Sequence, residues 1–153
     1  MSKIWKCAAA GALLAAPAAG GELPAGAGGA VDVHVKVSHL RSAKGAVIAC
    51  LTANPAGFPK CRDDANAQRA QISAARGGEI VFHDVKPGRY AVALLHDENG
   101  NGKADRAISM IPREGFGFSR DAKVSMGPPR FDDAAFSVKG ADARMTITMR
   151  YML

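Results

Sequence analysis

The chain has 153 residues, the length of a single domain at the usual ~100–200 residues each. It is 48% hydrophobic and 22% charged, with 17 Gly and 8 Pro, which excludes a disordered or collagen-like chain. The formal net charge is +6, yet the basic residues from Lys36 to Arg150 form no run and carry no aromatic interleaving, so nucleic acid is not an expected partner.

Taken in chain order, Lys3 and Lys6 give a basic start, and residues 7–20 are almost wholly Ala, Leu and Gly. This is the pattern of a secretory signal peptide, with small residues from Ala18 to Ala30 offering cleavage sites. The bland reading of the same residues is a frayed Ala-rich helix. Export is expected, with residues 1–30 as signal peptide and flexible mature start and residues 31–153 as the folded domain. No later apolar run approaches the ~18–20 residues of a membrane helix, so no span is expected in the mature protein. Cleavage after Ala30 leaves 18 basic and 13 acidic residues, a net charge of +5.

Cys7 would leave with the peptide, and Cys50 and Cys61 would remain in an oxidising compartment, where pairing is expected. Ten residues separate the two, so no C-x-x-C spacing tunes either thiol for redox work.

Beyond residue 30 the dominant period is two. Val31, Val33, Val35 and Val37 alternate with Asp32, His34, Lys36 and Ser38, as in a half-buried strand. A polar turn over residues 41–45 leads to Ala46–Leu51, which suggests a first hairpin. Residues 54–66 read as a long loop, Ala67–Ser73 as a strand, Arg76-Gly77-Gly78 as a turn and Glu79–Val85 as a strand. The turn Lys86-Pro87-Gly88 follows, then strands Arg89–Leu95, Ala135–Val138 and Met145–Tyr151. About seven short strands without a convincing amphipathic helix point to an all-β, antiparallel β-sandwich with Greek-key connections. A small closed barrel is the rival. Residues 107–133, rich in Gly, Pro and aromatics, read as a long ordered excursion.

The strongest local chemistry is His96-Asp97-Glu98-Asn99-Gly100-Asn101-Gly102-Lys103-Ala104-Asp105. Counted from Asp97, oxygen side chains fall at positions 1, 3, 5 and 9, with Gly at 6. Ca²⁺ takes ~6–8 oxygens at ~2.3–2.6 Å, and alternate residues of a tightly turning loop supply them. The expected ligands are the side chains of Asp97, Asn99, Asn101 and Asp105 and the Lys103 carbonyl, with Glu98 or Glu114 able to add an oxygen. Position 12 is Ile108, so the bidentate Glu of an EF-hand is missing. Few acidic ligands imply weak affinity, ~10⁻⁴–10⁻³ M, and a structural ion. An ion-free array of Asx turns is the competing reading, because Asp, Asn and Gly tolerate left-handed backbone.

Neighbours on a strand face opposite ways, so neither His83-Asp84 nor His96-Asp97 forms a dyad by itself. A hydrolase or lyase acting on an envelope polymer would need groups such as Ser119, His96 and Asp84 to converge in the fold. Phe116 and Phe118, with Phe131 and Phe136, read as packing aromatics; exposed beside the Asp97 loop, Phe116 and Phe118 would instead form a shelf for carbohydrate or peptide.

The segments LRSAKGAVIACL, PGRYAVALLHDENGNGKAD, IPREGFGFSRDA, GPPRFDDAAFSV and TITMRY together resemble a bacterial family catalogued as domain of unknown function 2141. Met110 stands where a small residue is usual before the Ile-Pro pair. The resemblance implies an exported β-sandwich and brings no established activity. Locally, the middle segment is also similar to Cna-B and Sdr-type surface domains, where a Pro-Gly-x-Tyr strand runs into an Asp/Asn/Gly calcium loop. The expectation is a periplasmic or secreted, non-catalytic binding or accessory domain of the cell envelope, with a structural Ca²⁺ loop and an envelope protein, peptide or glycan as partner.

Overall fold

In the computed structural model, which describes residues 28–102, 104 and 112–153, the valine alternation becomes β1 (Val31–Ser38). It is followed by β2 (Ala46–Thr52), β3 (Gln68–Ser73), β4 (Glu79–Val85) and β5 (Gly88–Asp97). The later excursion holds β6 (Gly115–Phe118), a 3-10 turn (Ser119–Asp121) and one helical turn, α1 (Phe131–Ala134), before β7 (Phe136–Val138) and β8 (Ala143–Thr148). The expected signal peptide falls almost entirely on residues outside the described set, as do Lys103, Asp105, Ile108 and Met110.

Two sheets pack face to face. One has the order β4-β1-β8; the other runs β3-β2-β5-β6, with β7 also on β5. The all-β sandwich expected from the pattern is therefore the fold, with eight strands among the described residues. Two pairings differ from expectation. β1 and β2 form no hairpin: they lie in different sheets, β1 against β4 and β8, β2 against β3 and β5. And β1 runs parallel to β8, so the smaller sheet is mixed.

Val33, Val35, Val47, Ala49, Ile80, Phe82, Val92, Leu94 and Ile147 fill the space between the sheets, each at most 3% exposed. Each of the Val, Leu, Ile and Phe side chains among them contributes on the order of 1.5–3 kcal/mol by leaving water. A second cluster lies on the outer face of the larger sheet, where Ala91, Ala93, Phe118, Ala122, Phe131 and Ala134 pack together. The Cys50–Cys61 disulfide ties the 53–67 loop to this face. Phe58 of that loop thereby sits edge-on to Phe118 and Phe131, with centroids 5.7 and 6.1 Å away. On the far side of β5 the sandwich is drawn together by two hydrogen bonds between Phe116 and Arg150, N–H to carbonyl at 3.0 and 2.8 Å. No helix among the described residues is long and apolar enough to cross a membrane.

Candidate functional site

β5 ends in the motif that carries the chemistry. Tyr90, Val92, Leu94 and His96 share the inward parity of the strand, so His96 is carried into the interior and is 0% exposed. Its Nε2 lies 2.9 Å from the Lys44 carbonyl, which only accepts, so Nε2 carries the hydrogen. Nδ1 must then accept, and the Tyr151 hydroxyl, 2.7 Å away, donates to it. The same hydroxyl oxygen accepts the Arg41 N–H at 3.2 Å. One imidazole thus fastens the β1–β2 crossing, the end of β5 and the C-terminal residues to one another.

Asp97, 3% exposed, turns the chain. Its Oδ1 accepts the N–H groups of Gly100 at 2.8 Å and Asn101 at 3.2 Å, and its Oδ2 that of Gly102 at 2.7 Å. Asn99 Oδ1 accepts the Asn101 N–H at 3.0 Å. Such charge-assisted bonds hold the ring of the loop closed. Gly100 and Gly102 have φ of 75° and 70°, the left-handed region where a Cβ is costly. Gly45 packs on the other side, where an added Cβ would stand 1.9 Å from the Asp97 carbonyl oxygen.

Glu98, next in sequence, points the other way. Its Oε2 accepts from Arg41 Nη2 at 2.5 Å and Nε at 3.1 Å, and its Oε1 from the Ser42 hydroxyl at 2.6 Å. The hydrogen bonds from Arg41 and Ser42 draw its carboxyl down to about 2, and the same bond from Glu98 raises the Arg41 guanidinium. Arg41 also lies over the Tyr151 ring, 4.5 Å from its centroid, and donates to the carbonyls of Arg113, at 2.8 Å, and Leu153. Burial pushes the Tyr151 hydroxyl up.

The five expected calcium ligands divide accordingly. Asp97, Asn99 and Asn101 share one tight loop; Lys103 and Asp105 lie outside the described residues. Of the two reserve carboxylates, Glu98 is held by Arg41. Glu114, 4% exposed, joins Asn99, Glu98, Arg41 and Arg113 around a cavity of about 310 Å³. Among the described residues Asp97 accepts three N–H bonds across its two oxygens, which together carry ~four lone-pair sites. Among the described residues no three His, Cys, Asp or Glu side chains converge on one point, so a cation here would depend on amide and carbonyl oxygens and on the part of the loop not described.

Ser119, His96 and Asp84 are each engaged or placed apart. The Ser119 hydroxyl accepts from Val92 N–H at 2.9 Å and donates to the Ala134 carbonyl at 2.6 Å, 0% exposed. Asp84 is exposed on β4, in the other sheet. Phe118 is buried in the outer cluster and Phe116 half-buried at its margin, their centroids 6.0 Å apart. Sequence reasoning missed Arg41, Ser42 and Tyr151. Tyr151 reaches His96 across 55 residues, and Arg41 and Ser42 reach Glu98 across 57 and 56, although the parity of His96 with Val92 and Leu94 is a signal that it points inward.

The sequence profile of a bacterial family, described as uncharacterized protein conserved in bacteria (DUF2141), matches residues 35–146. Neither a curated protein nor a solved structure matches the chain.

Proposed function

From the premise that the chain belongs to that bacterial family, its match spanning well over half of the 153 residues, we propose that it is an exported, non-catalytic binding or accessory domain of the cell envelope. The Asp97 loop is its structural calcium site. The observation that carries this reading is that the reactive side chains of the larger sheet and its disulfide loop are tied into the framework. His96 has both ring nitrogens engaged, Ser119 bonds main chain on two elements, and the two cysteines are joined, Cys61 at 0% exposure. A nucleophile or general base must reach a substrate atom, and these groups face their own fold. The disulfide supports export, because such bonds persist in oxidising compartments.

Fractionation of the native bacterium with intact-mass analysis tests the reading. The expected product is periplasmic or secreted, begins between Ala19 and Asp32 and carries no free thiol. Folded protein retaining Met1 and free Cys50 and Cys61 in the cytoplasm would overturn it.

A further inference from the structure

Sheet edges offer unpaired backbone to other chains, and proteins blunt them with bulges, charges or covering segments. Three edges here are treated in this way. The pairing of β4 with β1 is interrupted between Val31 and Val33, and Asp84 of β4 takes φ of 56°. β8 is covered by Asp121, whose carboxylate accepts the Thr148 N–H at 2.9 Å. β6 is bonded to Arg150 through Phe116.

β3 is not blunted. Its register with β2 is unbroken from Gln68 to Ser73, and the segment contains no Pro. The Ala74 N–H donates to the Gly45 carbonyl at 3.1 Å. Bonded and non-bonded pairs alternate along an antiparallel ladder, so Ile72, Ala70 and Gln68 bond to β2, and the N–H groups of Arg69, Gln71 and Ser73 face the open edge. The Ser73 carbonyl is taken by the Arg76 N–H at 3.2 Å; among the described residues the Gln71 pair has no such turn across it. On the outer face of the same sheet, one strand in from this edge, lies a groove of about 570 Å³, floored by Ile48 and Ala46 of β2 and bounded by Gln71, Ser73 and the Asp97 loop. Lys44, adjoining the groove at Gly45, and Arg76, just past Ser73, are exposed and form no ion pair among the described residues.

We propose that β3 is a docking strand for an extended acidic peptide segment of an envelope protein. The segment adds antiparallel or parallel to Arg69, Gln71 and Ser73 and places carboxylates at Lys44 and Arg76. The inference rests on the reading of the protein as a binding domain and names the partner class. In such strand addition main-chain bonds supply affinity, and alternate side chains supply specificity. The free cations select the sign of the partner, since like charges at an interface are rejected.

The test is amide chemical-shift titration of the labelled mature protein with a roughly ten-residue peptide alternating Glu and Val, the extended form that strand addition requires. A Lys–Val peptide is the control. Shifts at Arg69, Gln71, Ser73 and Gly45 are expected with the acidic peptide alone. Q71P removes an outward N–H at a position where an edge strand accepts Pro, and should weaken binding by about tenfold or more. The same loss should follow from N-methylating alternate residues of the peptide, an arm that does not depend on the variant folding. K44E with R76E should reverse the preference between the two peptides. Equal affinity for the N-methylated and plain peptides, equal response to the Lys–Val peptide, or no shift at Gln71 overturns the docking strand. If a peptidoglycan fragment shifts other amides while the peptide does nothing, the strand inference fails and the binding domain stands; silence toward both probes removes both.

Discussion

Replacing Tyr151 by Phe removes one oxygen and leaves the ring under Arg41. Two hydrogen bonds go with it: the Arg41 N–H to Oη bond at 3.2 Å and the Oη–H to His96 Nδ1 bond at 2.7 Å. Arg41 is exposed, so water replaces the first at little cost. His96 is 0% exposed, and its Nδ1 becomes a buried acceptor without a donor, a loss of about 1–3 kcal/mol. For a domain of this size that lowers the melting temperature by about 3–15 °C. Calorimetry of Tyr151→Phe alone and in a His96→Met background separates this bond from ring packing, because removing both partners leaves no orphan. The expected cost in the second background is under about 0.5 kcal/mol. The same cost in both backgrounds, or no change in the first, would refute the tautomer and the bonding assigned to His96.

Three further outcomes are expected. Glu98 has its carboxyl depressed from 4.5 to about 2 by Arg41 and Ser42, so its contribution is complete above pH 4.5 and is lost as pH falls toward 2; solvent around the pair limits it to about 1 kcal/mol. Acid titration of Glu98→Gln followed by urea unfolding should therefore show a shallower loss of stability below pH 4.5 than wild type, and parallel curves would remove the pair from the account. Cys50→Ser with Cys61→Ser should cost about 3 kcal/mol in the chain-entropy picture, read as a lower urea midpoint, with Phe118 and Phe131 more open to dye binding than in the oxidised protein. Calcium at a hundredfold excess over its dissociation constant should add about 2.7 kcal/mol. Asp97→Ala should abolish that gain while Asp142→Ala keeps it, and identical melting curves in chelator and in calcium would leave the loop an Asx-turn array.

The strands were legible because each side of the sandwich needs one apolar face, and that requirement writes a period of two into β1, β4 and β5. Pairing was not. Val33, Val35 and Val37 on one side and Val47, Ala49 and Leu51 on the other look like two arms of a hairpin, and the polar 41–45 turn would serve equally for a hairpin or for a crossing between sheets. The two triplets meet across the core instead of lying on one face. β6 reads as loop in the sequence because Gly-Phe-Gly-Phe carries no alternation of apolar with polar side chains. The structure supplies the reason: a Cβ on Gly115 would stand 2.2 Å from the Tyr151 ring and one on Gly117 2.8 Å from Ile147, so the small residues are where β6 is pressed against the chain's end.

The site follows the same division. Asp97, Asn99, Asn101 and the glycines among them could be read locally, since an Asx-rich turn is built from neighbours in sequence. Arg41, Glu98, His96 and Tyr151 could not, since nothing in the period or composition of a segment near residue 41 refers to one near residue 151. Yet that distant set decides what the local loop can do. Arg41 holds Glu98 away from the turn, and His96, fixed by Lys44 and Tyr151, anchors the strand end from which Asp97 departs. Among the described residues a cation entering the loop would therefore meet the neutral oxygens of Asn99 and Asn101 and the already hydrogen-bonded Asp97, donors that by themselves favour weak binding over tight.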